Sequence, residues 1–522
     1  MGPKSILMQG FKGACGPLQW QFDQALQRPD LAQNRVKMVI LRRLAKTAYG
    51  ASLGLGRSAP NLDQWQRVPL VTYGDLQPWI DRQRQAVHSA ILTPDRILFW
   101  EPTSGSTGPR KWIPYTPPLI TSFSLLFCLW AADILHHGPP LRSGKTYLCI
   151  SPEIIPNPEE GSSPVPRSGT DDTDYIHPLL ARLLDRFLVR VGQRFRTVEA
   201  FRWELALNLL RSPDLEVMSL WSPSFLTTQL AFMAQQGAAL RSALGGEVAP
   251  DRLRLLEVDP VPWAEVWPDL RLISCWDRRG AADSAAAVRR LFPQVLVQGK
   301  GLLATEGPVT LPLLRLGGFL PLLSQVVLEF LDEQGQIWGL AALEQGRLYE
   351  VVLSQQGGLC RYRLGDRVQV SGWAGATPCL EFVGRGETVS DQVGEKLALA
   401  FVEGCLAAGE EVLGWPIVGF RCLAPVRSRS GLFYALVLDR EPVDRSRLAT
   451  VLEAQLRLGF HYDRARCFDQ LGPLQVWVDP QVADRLWGHK RLGDCKYPLL
   501  LTEPIESIFQ GKPSLPRNHD GY

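Results

Sequence analysis

Residues 103–111 read Thr103-Ser104-Gly105-Ser106-Thr107-Gly108-Pro109-Arg110-Lys111, small, hydroxylated, turn-forming or cationic at every position. Glycines let a backbone approach an anion closely, hydroxyls and free N–H groups supply donors, and the cations offset negative charge. That composition serves phosphate binding; it serves a plain polar hairpin tip equally well. The flanking segments, Arg96-Ile97-Leu98-Phe99-Trp100 and Trp112-Ile113-Pro114-Tyr115, are strand-like. A Walker-type loop needs G-x4-GK[ST] followed by a helix, so this is not one. The nearer match in wording, GPPLRSGKT at 138–146, has five residues between its glycines and runs into a strand-like segment, and so reads as a turn.

Three further groups of residues carry chemistry. In QGKGLLATEG, residues 298–307, Thr305 and Glu306 put a hydroxyl and a carboxylate side by side on a turn after the strand-like 295–297. Mg2+ favours oxygen ligands shared with substrate phosphates, which suits this pair, although a solvated glutamate explains it as simply. Residues 361–366, Arg361-Tyr362-Arg363-Leu364-Gly365-Asp366, end in an aspartate on a glycine turn before a strand. Such a carboxylate accepts two ribose hydroxyls and guanidinium groups suit phosphate; the alternative is a surface ion-pair ladder. Gly384-Arg385-Gly386-Glu387, with Gly394-Glu395-Lys396 after it, falls where the patterning changes, and glycines there can absorb the dihedral changes of a hinge. Lysine is scarce beside arginine, yet Lys111, Lys300, Lys396 and Lys496 all fall in glycine-bearing motifs. The seven histidines show no H-x3-H spacing, which argues against zinc. No G-x-S-x-G elbow and no G-x-G-x-x-G after a strand is present, which argues against hydrolases and dehydrogenases.

The elements that must hold these residues follow from periodicity. Helical spacing predicts amphipathic helices within 18–53 and over 178–193, and Ser222-Pro223 opens another through 243. Residues 156–174 are a long Pro, Gly, Ser and acid-rich loop. Residues 325–383 switch to short β-branched and aromatic runs, a β-rich unit. Beyond it come a helix (396–408), two strands (417–423, 432–438), a helix (444–458) and a strand (474–478). The expectation is a mixed α/β chain: a large N-terminal domain, 1–384, with helix-flanked sheets and a β-rich subdomain, and a small, mobile α+β domain, 385–522, hinged near 384–396.

With 522 residues and 45% hydrophobic content the chain is long enough for more than one core. Its 56 Lys and Arg against 53 Asp and Glu leave +3, a balance that argues against nucleic-acid or anionic-membrane surfaces and for small-molecule partners. Ten scattered cysteines without a CxxC pair read as reduced thiols in a cytoplasmic protein, and the N-terminus lacks a signal-peptide core. The most apolar run, 119–135, carries Thr121, Ser122, Ser124 and Asp133 and reads as a buried helix rather than a membrane span. Oligomeric state is open, with a monomer compatible.

In order, TSGSTGPRKWIPYT, KGLLATEG, RYRLGD, the GRGE junction with GEK, and the late Lys496-Tyr497-Pro498 resemble the adenylate-forming superfamily of acyl-CoA synthetases, peptide-synthetase adenylation domains and luciferases. Within it the KWIPYT continuation, the YRLGD wording and the length are most similar to the Gretchen Hagen three family of acyl-acid amido synthetases, in its bacterial branch. The resemblance implies an ATP-dependent ligase that makes an acyl-adenylate from a carboxylic acid and passes the acyl group to an amine, such as an amino acid. It implies that Thr103, Ser104, Gly105, Ser106, Thr107 and Gly108 cradle phosphates with Lys111 beside them. By the same resemblance Thr305 would contact the α-phosphate, Glu306 would hold Mg2+, Tyr362 and Asp366 would face the nucleotide with Asp366 on the ribose, and Arg385 would lie at the hinge. The resemblance also implies that Lys396 and Lys496 are catalytic cations carried on the smaller domain. Two departures stand out: Leu302 occupies the family's aromatic position, and Pro109-Arg110 reverses the usual order. An acyl-CoA ligase and a silent nucleotide-binding protein are the competing readings. Trp221, Phe225 and Phe127 are candidate walls of an acyl pocket.

Overall fold

The computed structural model describes residues 3–505 except 57–58, 87–88, 104–110, 150–152, 155–174, 193, 279–280, 386–387, 418, 420, 429–430, 480–481 and 483–498. It divides into two compact units, one of Met1–Thr103 with Lys111–Gly386, the other containing Glu387–Tyr522.

The first unit is a mixed α/β assembly with two main sheets. One is parallel, with strands in the order Lys145–Leu148, Leu215–Ser219, Leu272–Cys275, Leu296–Gly299. Residues 272–275 are buried throughout, as expected of strands covered on both faces. The helices Val198–Leu210, Pro223–Gln235 and Ala282–Leu291 alternate with these strands. The other sheet is antiparallel, built from Val326–Leu331, Ile337–Trp338, Leu348–Gln355, Tyr362–Ala374 and Thr377–Arg385. Its buried side chains, including Leu328, Phe330, Val351, Leu353, Val368 and Val370, share one core with Leu126 and Leu129. Those two leucines come from the helix Pro117–His137. This helix is long and apolar enough to cross a membrane by length and composition, and half of its most apolar window is buried inside the fold. Asp133 on it is fully buried, accepts the Leu314 N–H and lies 3.7 Å from the Arg315 guanidinium.

Two sequence expectations change. The helix over 178–193 stops at Leu184, because Thr146 donates its N–H to Phe187 and accepts that of Val189, drawing this stretch alongside the parallel sheet. The helix opened by Pro223 ends at Gln235 and restarts as Gly237–Ala243. A side chain at Gly237 would stand 2.8 Å from the Leu256 carbonyl, so the break accommodates a close backbone approach. The turn at 142–144 is cradle-like, and its occupant is internal: the N–H groups of Arg142, Ser143 and Gly144 all donate to the buried Glu216 carboxylate, at 2.7, 3.0 and 2.6 Å.

The second unit runs hairpin Val389–Ser390 and Leu397–Ala398, helix Leu399–Leu413, strands Arg421–Ser428 and Gly431–Leu438, helices Arg445–Leu456 and Phe460–Cys467, and strand Gln475–Val478. The two long strands pair antiparallel and the last joins in parallel, over a core that includes Leu406, Leu436, Leu452 and Val476. The helix Phe460–Cys467 was absent from the sequence expectation.

Candidate active site

The strands Phe99–Thr103 and Lys111–Tyr115 form an antiparallel hairpin whose last pair is Thr103 with Lys111. The hydroxyl-rich stretch lies between these two strands in the sequence. Ser104, Gly105, Ser106, Thr107 and Gly108 lie outside the described residues, as does the Thr103 side chain. Lys111 holds its ammonium 5.8 Å from the centre of the Tyr73 ring, and the Tyr73 hydroxyl accepts the next N–H, that of Trp112, at 2.8 Å.

Tyr115 anchors the base of this hairpin. Its ring is stacked on Phe99 at 4.7 Å and meets Tyr175 edge-on at 5.1 Å. Only 1% exposed, it reaches across 190 residues to donate its hydroxyl to the Thr305 carbonyl at 2.8 Å. Thr305 and Glu306 are the two residues joining the short strands Leu303–Ala304 and Gly307–Pro308, with Ala304 paired to Gly307. The hydroxyl and the carboxylate thus sit at the tip of a tight turn tied to the hairpin. Gly301 precedes this turn at φ +76, with Thr310 Oγ1 2.8 Å from where a Cβ would stand, so only glycine fits. Leu302 is 7% exposed and packs in the main core.

Asp366 and Arg385 face each other on neighbouring strands, and the Arg385 side chain lies outside the described residues. Residues 361–366 are not a turn before a strand; they begin the strand Tyr362–Ala374. Pairing with Leu348–Gln355 jumps from Val352 with Arg363 to Glu350 with Arg367, a bulge in which Gly365 has φ +79. Bulges re-aim side chains next to sites, and this one sets Asp366, 3% exposed, into the sheet. Both guanidiniums of the motif are engaged by the protein. Arg361 grips Glu329 through two bonds of 2.9 and 3.2 Å and donates to the Val68 carbonyl, while Arg363 grips Glu350. Tyr362 is 2% exposed among Val68, Val71 and Leu359, which gives that ring a packing role.

A group of polar and aromatic side chains gathers at the carboxyl ends of the parallel strands, the end of such sheets at which ligands bind. Lys300, just past the last strand, donates to Ser219 Oγ at 2.7 Å and lies 5.1 Å over the Trp221 ring. Trp276 sits 5.9 Å from Trp221 and donates its N–H to the Trp221 carbonyl. Trp130 packs on Phe127 and donates to Gln298 Oε1 at 2.8 Å. Gln298 is 7% exposed, and its Nε2 has no partner among the described residues. Burial pushes the Cys275 thiol up to about 12 against the pull of the Lys300 charge, so it stays neutral. Sequence reasoning named Trp221, Phe225 and Phe127 here but assigned no role to Tyr115, Ser219, Lys300 or Trp276. For Tyr115, the inward parity of Ile113 and Tyr115 was the available signal.

In the second unit, Lys396 ends the connection between Val389–Ser390 and Leu397–Ala398, with φ +47. Lys496 lies outside the described residues.

Residues 19–253 match the GH3 family N-terminal domain and residues 319–385 the GH3 family central domain. The indole-3-acetic acid-amido synthetase GH3.8 of Oryza sativa subsp. indica is 24% identical over 531 residues, covering 87% of this chain and 84% of the relative. The solved structure of the acyl acid amido synthetase AtGH3.15 in complex with 2,4-DB superposes with a TM-score of 0.63 at 17% identity, over 96% of this chain and 98% of that one. A 2-hydroxyisobutyryl-CoA ligase in its thioesterification state gives 0.53 at 13% identity, over 95% and 90%. The chain belongs to the GH3 family, on the fold of the adenylate-forming ligases.

Proposed function

We propose that this chain is an acyl-acid amido synthetase that uses ATP to join a carboxylic acid to an amine, an amino acid being the acceptor the relatives' names suggest. In the first step a carboxylate oxygen attacks the α-phosphorus, the bond to the β-phosphate oxygen breaks, and pyrophosphate leaves. In the second the amine nitrogen attacks the acyl carbon, the bond to AMP breaks, and the amine gives up a proton.

The observation that carries this reading is the Tyr115 bond to the Thr305 carbonyl, which joins the phosphate-type hairpin to the Thr-Glu turn. Ser104, Ser106, Thr107 and the backbone of Gly105 and Gly108 then face the β- and γ-phosphates with Lys111 alongside, and Thr305 meets the α-phosphate. Asp366, paired with Arg385 across the sheet, takes the ribose. Glu306 is the residue that would hold Mg2+, whose preference for oxygen ligands suits a carboxylate. Among the described residues no group of three or more His, Cys, Asp or Glu converges on a metal, and an ion that keeps its waters needs only one or two carboxylates. Bound there, it offsets phosphate charge. The group of Ser219, Trp221, Trp276 and Lys300 receives the acid, its ammonium countering the carboxylate and its indoles covering the apolar part. Lys396 and Lys496, on the smaller unit, offset charge developing at the α-phosphate when that unit closes, a contribution lost when it rotates for the second step.

The test is acid-dependent exchange of labelled pyrophosphate into ATP, followed by product analysis with amino acids or coenzyme A. Exchange with amide formation is expected. Thioester formation from coenzyme A selects the ligase reading that the shared fold keeps open, and absence of exchange across a broad acid panel defeats both.

A further inference from the structure

The hairpin that carries Lys396 is built with unusual internal constraint. Between Ser390 and Leu397 the chain makes one loop, residues 391–396, and three consecutive N–H groups of that loop donate to its own carboxylates. Gln392 N donates to Glu395 Oε1 at 2.7 Å, Val393 N to Glu395 Oε2 at 2.8 Å, and Gly394 N to Asp391 Oδ1 at 2.8 Å. Glu395 is 1% exposed. Tyr434, fully buried on the strand Gly431–Leu438, donates its hydroxyl to the same Glu395 oxygen and shares a 2.6 Å bond with Ser390 Oγ at the loop's entrance. The Gln392 side chain ties the loop to the Thr502 carbonyl at 2.7 Å. The next residue after Glu395 is Lys396, whose φ of +47 is a left-handed conformation that residues with a Cβ disfavour. A buried carboxylate and a strained backbone persist together only where the surroundings over-determine them, and both converge on the backbone that bears Lys396.

We propose that Glu395 and Tyr434 are positioning residues that hold the 391–396 loop in one conformation, so that Lys396 delivers its charge in a fixed geometry during acid activation. This rests on the functional reading of Lys396 given above. The lock is strongest in the carboxylate form, because an anion accepts the two N–H groups and the phenol as charge-assisted bonds, whereas a protonated carboxyl accepts them more weakly and must also place its own proton. Burial, with Asp391 beside it, raises the Glu395 carboxyl to about 7. The other groups facing it are Tyr434 and Tyr462, the latter from the helix Phe460–Cys467, 6.2 Å from Tyr434 between ring centres. Tyr462 in turn donates to Glu453, which also pairs with Arg466. Burial and the Glu395 charge hold the Tyr434 phenol well above its usual range, so it remains the donor.

The full-length protein tests this by pyrophosphate exchange, which needs no amine, between pH 5.5 and 8.5, and by amide hydrogen exchange over 391–396 corrected for intrinsic rates. Wild-type exchange should rise through a transition near pH 7, with loop protection rising alongside. Tyr434→Phe removes a donor that favours the anion and should move both transitions to higher pH. Glu395→Gln should abolish the transition and lower the rate at pH 8 about tenfold, with the KM for ATP unchanged. A transition at the wild-type pH in both variants, or loop protection independent of pH and of Tyr434→Phe, overturns the proposal. Absence of exchange in the wild type defeats the proposed function instead, and the amide measurement still decides the lock.

Discussion

Removing one oxygen atom from Tyr115 isolates the link between the hairpin and the Thr305–Glu306 turn. In Tyr115→Phe the ring keeps its stacking on Phe99 at 4.7 Å and its edge contact with Tyr175, neither of which needs the hydroxyl. What disappears is the 2.8 Å bond to the Thr305 carbonyl, made by a residue 1% exposed. A neutral hydrogen bond contributes about 1 kcal/mol net, and leaving its buried partner unsatisfied costs about 1–3 kcal/mol. The variant should lose about 1–2 kcal/mol of unfolding free energy, read from the urea midpoint, and stay folded at 25 °C. If the bond also sets the turn that meets the α-phosphate, part of that energy is lost in the transition state. About 1.4 kcal/mol is a factor of ten, so kcat/KM for acid-dependent pyrophosphate exchange should fall about tenfold. Phe99→Leu is the control: it weakens packing around the same ring while leaving the bond in place. It should lower stability comparably with a much smaller kinetic effect. Exchange at the wild-type rate in Tyr115→Phe, despite the stability loss, refutes the claim that this bond positions the turn.

Three further outcomes follow from other parts of the structure. Arg361→Ala strands the buried Glu329 carboxylate, 6% exposed, and should cost about 3–5 kcal/mol in urea unfolding. Lys300→Met keeps much of the stem over Trp221 but removes the charge; it should raise the KM for the acid about tenfold and leave the KM for ATP unchanged. A change confined to ATP removes the acid from the Lys300 and Trp221 site. Glu395 sets a pH dependence of stability, since its folded value of about 7 lies above the ordinary 4.5. The folded chain then holds a proton that the unfolded chain releases. That contribution is complete below pH 4.5 and is lost as pH rises to about 7, a fall of about 3 kcal/mol that Glu395→Gln should flatten. The carboxylate that orders the Lys396 loop is thus stored at the expense of global stability.

Much of this was legible locally. Strand-like residues on both sides of 104–110 were enough to reject a strand-to-helix phosphate loop, because side-chain parity and turn chemistry act over a few residues. The same holds for the turn at Thr305 and Glu306 and for the five-stranded region of β-branched and aromatic runs. The expectations that failed were those needing a partner. Residues 361–366 read as a turn because Gly365 and Asp366 are turn formers; pairing on both sides absorbs them as a bulge within the strand Tyr362–Ala374. The stretch after Leu184 kept a helical pattern, yet Thr146 takes its backbone groups.

By itself the sequence determined the kinds of local element, the GH3 family resemblance carried by the order of the motifs, and the residue types able to meet phosphate, ribose and metal. Only the tertiary structure decided which of those groups are already engaged. Glu216 fills the cradle at 142–144 from more than 70 residues away, Arg361 is consumed by Glu329, and Tyr115 binds Thr305 across 190 residues. Periodicity and turn propensity are properties of neighbouring residues. The partner of a buried charge or hydroxyl is chosen by how distant segments pack, because each such group must find an opposite number once water is excluded.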